Sequence, residues 1–270
     1  MHDCGSKLRF IAELDVDAGE EVMNCYGHQG NTQWLLNGGF IDRSNPFDEV
    51  FVTPAEVVSI TMAHLRDGGA KRDHRGGDPV RADSSDDESG EGDADGLARL
   101  AHLQSTGLLS EGTFCIRSDN LLPDELATIV LVLCMSDADF CAFECREDVL
   151  IDVAGEDLDD RLLGHLYAVV VRIVEVLERR YPQTLEEDEA LFAAVEAYLG
   201  GTPTADASPA PKRQRRAAME GPPAFLPPGV RLENLRNVLL LRVGQKRLLR
   251  RLRELAESCF EGSDDEASGD

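Results

Sequence analysis

The residues whose types could do chemistry begin with a tyrosine near the start of the sequence. Tyr26 stands in residues 18–27, which read Ala-Gly-Glu-Glu-Val-Met-Asn-Cys-Tyr-Gly. A phenol held beside a turn can orient a reactant, although an isolated tyrosine is more often an ordinary buried aromatic. His28 follows closely, but no nucleophile or acid lies at a recognisable spacing from it, so we interpret it as a loop residue.

The other candidates are thiols and imidazoles. Cys141 and Cys145 are four residues apart, a spacing that places two side chains on one face of a helix. A zinc pair is one interpretation, but no second pair stands at zinc-finger spacing, so buried or idle thiols are favoured. Three histidines fall on separate predicted helices and form no evident ligand set: His64, His102 and His165. We therefore predict no metal site.

The charge of the chain is strongly negative but unevenly distributed. The sequence holds 51 acidic and 27 basic residues, for a net charge of −24. Two segments, residues 83–95 and 257–270, contain 13 of the acids and few apolar residues, so we predict that both are disordered. Residues 231–253 instead contain eight bases and one acid, a local charge of +7. The net charge of the whole chain disfavours binding to nucleic acid, whereas this basic helix could bind an acidic partner.

Targeting signals are sparse. Residues 212–216, Lys-Arg-Gln-Arg-Arg, resemble a short nuclear-import signal. The sequence shows no secretory signal peptide and no apolar stretch of bilayer length, so we expect no membrane association. These features predict a protein of the nucleus or the cytoplasm.

Short strands are the elements predicted to position the N-terminal motif. Alternating apolar residues predict a strand over residues 7–14, and Asp and Gly predict a turn over residues 15–19. A second short strand is predicted over residues 21–24, and a helical turn over residues 32–36.

The rest of the sequence is predicted to be helical. Two capping boxes mark helix starts at Thr53 with Glu56 and at Thr184 with Glu187; the first helix should end near Arg66, and Gly200-Gly201 should stop the second. Further helices are predicted over residues 97–106, 123–135, 137–146, 158–180 and 232–260, with an extended segment over 111–118. Residues 67–96 are predicted to be a disordered acidic insertion, and residues 201–229 a Pro-rich linker.

One extended motif is far more specific than these patterns. Residues 18–27 are followed by Asn31, by Leu35-Leu36, by Gly39-Phe40 and by Asn-Pro-Phe-Asp at residues 45–48. In this order and spacing the segment resembles the C-terminal end of the SET domain in protein-lysine methyltransferases of the Rubisco large-subunit methyltransferase class. The helical remainder resembles the substrate-binding domain that follows the SET domain in that class, with support from residues 132–135 and 242–246. Both parts look most like the branch called SET domain-containing protein 6.

This resemblance implies a protein-lysine N-methyltransferase that uses S-adenosylmethionine and acts on a substrate protein that presents a lysine. Methyl transfer is an in-line displacement, and the lysine amine must be neutral although its free pKa is about 10.4. In the resembled class the tyrosine of the Tyr-Gly element orients that amine and favours the cationic transition state, and the matching residue is Tyr26. The resemblance also implies that Asn31 and Phe40 contact the cofactor.

Two departures from the class concern the cofactor. Gly38 stands where the class usually has an aromatic residue. The class also needs a Gly-x-Gly element and an Asn-His pair upstream, whereas this chain has no Asn-His pair and its one Gly-x-Gly, residues 90–92, lies in the acidic run. We therefore expect an N-terminally truncated chain that is inactive alone and does not hold S-adenosylmethionine tightly.

These observations together predict an α+β fold. Residues 1–50 would be the C-terminal part of a β-rich SET domain, residues 51–260 an all-α substrate-binding domain, and residues 261–270 an acidic tail. We expect a monomer. The alternative function is a non-catalytic protein-interaction module derived from the substrate-binding domain.

Overall fold

The computed structural model describes residues 2–3, 8–9, 11–12, 14–22, 27–72, 91–110, 112–201 and 226–262. In these ranges helices dominate, and four short strands form two antiparallel pairs. The strands are β1 His2–Asp3, β2 Leu8–Arg9, β3 Glu49–Val52 and β4 Phe114–Arg117. The helices are α1 Asn31–Gly38, α2 Pro54–Arg72, α3 Glu91–Ser105, α4 Asp124–Cys134, α5 Asp137–Glu144, α6 Asp160–Glu178, α7 Leu185–Gly201 and α8 Leu232–Gly262.

The hydrophobic core is built around α4. Every residue from 126 to 134 in this helix is buried, as expected for a helix that is apolar on all sides and lies inside the fold. The one hydroxyl in this run, Thr128, accepts a hydrogen bond from the Ile151 backbone N–H at 2.9 Å. Helices α2, α3 and α6 surround α4, and α6 packs its other side against α8. The predicted helical unit is therefore confirmed.

Both predicted capping boxes are formed. The Thr53 backbone N–H donates to the Glu56 carboxylate at 3.0 Å, and the Glu56 N–H donates to the Thr53 hydroxyl oxygen at 3.2 Å. The same reciprocal pair joins Thr184 and Glu187, at 2.8 and 3.2 Å. Each box satisfies backbone donors that the first turn of a helix leaves unpaired, so the starts of α2 and α7 are fixed by local sequence.

The strand predicted over residues 7–14 is largely wrong. Only Leu8–Arg9 is a strand, paired with His2–Asp3, and the described residues among 11–17 are not. On the apolar side of the predicted alternation, Leu14 is 82% exposed and Ala12 is exposed as well. The predicted turn is confirmed, since the Glu20 N–H donates to the Asp17 carbonyl oxygen at 3.1 Å. Residues 21–22 of the predicted second strand do not belong to a sheet, and residues 23–24 lie outside the described residues.

Both ends of the predicted insertion and the first residue of the predicted linker are helical. Helix α2 continues to Arg72, with Leu65 packed on the core and Asp67 paired with Arg172 of α6 at 2.8 Å, and α3 begins at Glu91. Residues 73–90 and 202–225 lie outside the described residues. The last residue of helix α7 is Gly201, which lies within the predicted Gly200-Gly201 stop.

The predicted domain boundaries at residues 50 and 260 both fall inside regular elements, β3 and α8, and the division into domains stays a prediction. Strand β3 spans the first boundary and pairs with β4, with Glu49 opposite Arg117, so the N-terminal region and the helical unit share a sheet. Helix α8 continues to Gly262, and residues 263–270 lie outside the described residues. None of the helices in the described ranges is both long and apolar enough to cross a membrane.

Candidate functional site

The loop between α1 and β3 is held in shape by hydrogen bonds around Asn31. This residue is 1% exposed; its Nδ2 donates to the Asp42 carbonyl oxygen at 2.8 Å, and its Oδ1 accepts the Asp42 N–H at 2.9 Å. Asn45, also buried, donates from its Nδ2 to the Gln29 carbonyl oxygen at 2.9 Å. The Asn31 amide therefore organises the loop, and the cofactor contact assigned to Asn31 stays a prediction.

The start of α1 is capped by a residue distant in sequence. Gly30 at the N-cap has no side chain, and Asp48 Oδ1 instead accepts the Asn31 N–H at 3.1 Å. A Cβ at Gly30 would lie 2.8 Å from the Phe47 carbonyl oxygen, so the close approach of the two segments requires glycine. Burial raises the pKa of Asp48, and the bond from Asn31 offsets part of that shift.

Phe40, the second predicted cofactor contact, folds back over the end of α1. Its ring centroid lies 5.5 Å from that of Trp34, and 37% of the residue is exposed. A Cβ at Gly38 would clash with the Phe40 ring. The absence of an aromatic residue at position 38 and the position of Phe40 are thus linked, because a larger residue at 38 would displace the ring.

The predicted catalytic residue, Tyr26, lies outside the described residues. The structure therefore places Asn31 at the start of α1 and Phe40 just after its end, without locating them relative to the Tyr26 hydroxyl. The basic cluster at residues 212–216 also lies outside the described residues.

Helix α8 meets the N-terminal loop through two successive residues. A Cβ at Gly244 would lie 2.8 Å from Asp48 Oδ2, so glycine lets the helix approach this carboxylate. The Gln245 Nε2 lies 3.3 Å from the Thr32 hydroxyl oxygen and 3.3 Å from the carbonyl oxygen of the first residue of β3. The Gln245 Oε1 accepts a hydrogen bond from the Tyr181 hydroxyl at 3.1 Å. One side chain thus ties α8 to α1, to β3 and to the connection between α6 and α7.

The next residue, Lys246, is a buried cation with all its donors used. It is 5% exposed, and its Nζ donates to Asp188 Oδ2 at 2.5 Å and to the carbonyl oxygens of Gln183 and Thr184 at 2.6 and 3.1 Å. Asp188 is fully buried, and its other oxygen lies 2.9 Å from Nη2 of Arg242. This arrangement fixes the start of α7 against the middle of α8.

The basic face of α8 is mostly paired with acids of the same chain. Six of the eight bases between residues 231 and 253 have carboxylate partners on α6 or α7: Arg236 with Glu196, Arg242 and Lys246 with Asp188, Arg247 with Glu189, Arg250 with Glu186, and Arg253 with Glu178. The positive charge that an acidic partner would meet is therefore well below +7.

Two of the three histidines that were predicted to lie on separate helices are in contact. His64 Nε2 on α2 lies 3.0 Å from His165 Nδ1 on α6, although 101 residues separate them in the sequence. Burial lowers the pKa of His64, and the positive charges of Arg172 and His165 act in the same direction. Local sequence carries no signal for such a pair. In the described part of the chain, no three potential ligands come together as a metal site would require.

Comparison with known proteins identifies the helical unit. Residues 97–249 match the family described as Rubisco LSMT substrate-binding, which covers more than half of the chain. The chain belongs to this family. It is therefore a relative of protein methyltransferases, and the family's substrate-binding role implies a protein substrate. No curated protein was found to match the sequence.

Proposed function

We propose that this chain works in protein-lysine N-methylation, with the helical unit binding the target protein and the N-terminal motif bordering the acceptor lysine. The observation that supports this most is the joint at α8. Gly244 and Gln245 belong to the family match, and they contact the loop that follows the Tyr26 motif. A fixed joint would set the distance between a docked protein and the acceptor position, which is how orientation contributes to rate.

Tyr26 is the proposed catalytic residue. Its phenol oxygen would accept a hydrogen bond from the acceptor amine and hold it in line with the methyl group. The proposed donor, S-adenosylmethionine, supplies a methyl group carried on a sulfonium. The two predicted cofactor contacts already have partners within the chain, because the Asn31 amide bonds to Asp42 and Phe40 packs on Trp34. We therefore expect the 270-residue chain to bind this cofactor only weakly.

Calorimetry with S-adenosylmethionine tests the cofactor part of the proposal. Titration of the purified chain should show no binding at micromolar concentrations. A micromolar dissociation constant would show that these residues form a cofactor site after all, and Asn31→Ala and Phe40→Ala would then show whether the two predicted contacts belong to it.

A second candidate function is a protein-interaction module without catalysis. It is favoured by the hydrogen bonds that the Asn31 side-chain amide makes to the Asp42 backbone within the chain. The genomic DNA upstream of Met1 discriminates the two candidates. In-frame exons that encode Gly-x-Gly and Asn-His elements would support the enzyme, and their absence would support the module.

The remaining parts of the proposal concern branch, assembly and location. We propose a member of the SET domain-containing protein 6 branch that is monomeric and that resides in the nucleus or the cytoplasm. Light scattering should give the mass of one chain, 29.5 kDa. Replacement of the bases in residues 212–216 should reduce nuclear accumulation of a fluorescent fusion.

A further inference from the structure

Two neighbouring clefts follow the contact between α6 and α8. One of about 820 Å³ lies between the end of α6, the start of α7 and the second half of α8. The other, of about 550 Å³, lies between the middle of α6 and the last turns of α8. Glu175 and Glu257 line both, so the clefts form one continuous groove, here called the α6–α8 groove.

The α6–α8 groove has apolar side chains along its length. Tyr167, Val171 and Ala256 line the second cleft, and Pro182 and Leu185 line the first. Tyr167 and Val171 are only partly buried, so their side chains offer apolar contact surface. An occupant can therefore place an apolar side chain here.

The basic side chains that line the groove are already paired with acids. Five bases line it, and each has a carboxylate partner: Arg172 with Asp67, Arg179 with Glu175, Lys246 with Asp188, Arg250 with Glu186, and Arg253 with Glu178. Within the described residues, three lining carboxylates have no basic partner: Glu187, Glu254 and Glu257. The uncompensated charge of the groove is negative, and it would repel an acidic peptide or a nucleic acid.

We infer that the α6–α8 groove binds an extended segment rich in Lys and Arg with an apolar side chain beside the bases. The negative charge of the groove favours Lys and Arg in the bound segment, and the apolar lining favours an apolar residue next to them. The stretch of α6 from Tyr167 to Glu178 is about 17 Å long at the rise of an α-helix, which an extended peptide of about five residues spans. The identification of this segment as part of a substrate protein rests on the proposed function. The existence of the groove and its negative charge are independent of that function.

Fluorescence anisotropy of labelled peptides with the full chain tests this inference. The probes are a peptide of alternating Lys and Leu, the same peptide with Glu in place of Lys, and one with Ser in place of Lys. The variant is Glu254→Gln with Glu257→Gln, which removes two charges and keeps side-chain size. The control, Glu147→Gln with Asp157→Asn, makes the same charge change at exposed positions outside the groove.

The expected result is binding of the lysine peptide alone. The groove variant should weaken it by about three- to tenfold, the effect of two exposed charge contacts, and the control should leave it unchanged. Hydrogen exchange of the complex should show protection in residues 167–182 and 250–257. Equal affinity in both variants, protection elsewhere, or no selection for lysine over glutamate would overturn the inference.

The assay contains no S-adenosylmethionine, so its outcome is separate from that of the proposed function. Selective binding in the groove without any methyl transfer by the protein in cells would keep the groove and reject the methyltransferase. Methyl transfer without binding in the groove would support the methyltransferase and reject the proposed role of the groove.

Discussion

Replacement of Lys246 by methionine should destabilise the fold more than any single loss of a surface charge. Methionine keeps most of the side-chain volume and removes the ammonium. Asp188, which is fully buried, would keep only its contact with Arg242, and the carbonyl oxygens of Gln183 and Thr184 would lose their donor. Breaking a buried ion pair by removal of one partner costs about 3–5 kcal/mol.

Because Asp188 keeps its contact with Arg242, we expect the free energy of unfolding to fall by about 3 kcal/mol, near the lower end of this range. This is a large part of the roughly 5–15 kcal/mol by which a domain is stable. Urea denaturation of the variant, followed by far-ultraviolet circular dichroism, should show a midpoint shifted strongly to lower urea. Asp188→Leu, added to Lys246→Met, should restore part of the loss, because the buried carboxylate is then removed while Arg242, whose side chain is 20% exposed, keeps its hydrogen bond to the Gln183 side chain.

The matched control is the adjacent residue. Arg247 pairs with Glu189 but its side chain is 63% exposed, so Arg247→Met should cost less than about 1 kcal/mol. If Lys246→Met and Arg247→Met had equal effects, the claim that Lys246 is a buried structural cation would be refuted.

Three further predictions follow from the joint and from the shifted pKa values. Gln245→Ala should speed hydrogen exchange of the α1 amides while the exchange of α4 stays unchanged, because Gln245 contacts Thr32 and the start of β3; equal exchange in α1 would contradict that tie. Burial raises the pKa of Glu49 above its ordinary value of 4.5, so the native state holds this proton more tightly than the unfolded state and stability falls as pH rises through the window above 4.5. Glu49→Gln should therefore unfold at a higher temperature than the wild type at pH 7, with little difference near pH 4, and a lower unfolding temperature at pH 7 would contradict the assignment. Burial lowers the pKa of His64 below 6.5, so its stabilising contribution is complete above pH 6.5 and is lost as the pH falls below that value. His64→Gln should flatten the decline of the unfolding temperature below pH 6.5, and an unchanged decline would contradict the assignment.

Local signals explain the parts of the fold that the sequence predicted well. The Thr53 and Thr184 capping boxes act within four residues, and the apolar stripe of α6 repeats at helical spacing, so neither depends on the rest of the chain. Strand β3 was missed because it has only four residues and its partner β4 lies more than sixty residues away. Pairing between such short strands is decided by packing rather than by strand pattern.

The candidate site was predicted in part for the same reason. The order of residues in the N-terminal motif predicted Asn31 and Phe40 as site residues. The sequence does not show that the Asn31 side-chain amide forms its hydrogen bonds with the Asp42 backbone. The segment 242–246 was recognised by resemblance alone. Its role as the joint depends on contacts of Gln245 with residues up to 213 positions away, which only the fold brings together.

The most direct test of the proposed function is a comparison of methyl-lysine in cells before and after one substitution. Tyr26→Phe, introduced at the chromosomal locus, removes the hydroxyl that is proposed to orient the acceptor amine and leaves the ring in place. Quantitative mass spectrometry should then show that at least one protein loses methylation at a specific lysine while its abundance, and that of the variant, stays constant. Unchanged methyl-lysine at every site would contradict a catalytic role and favour the interaction module.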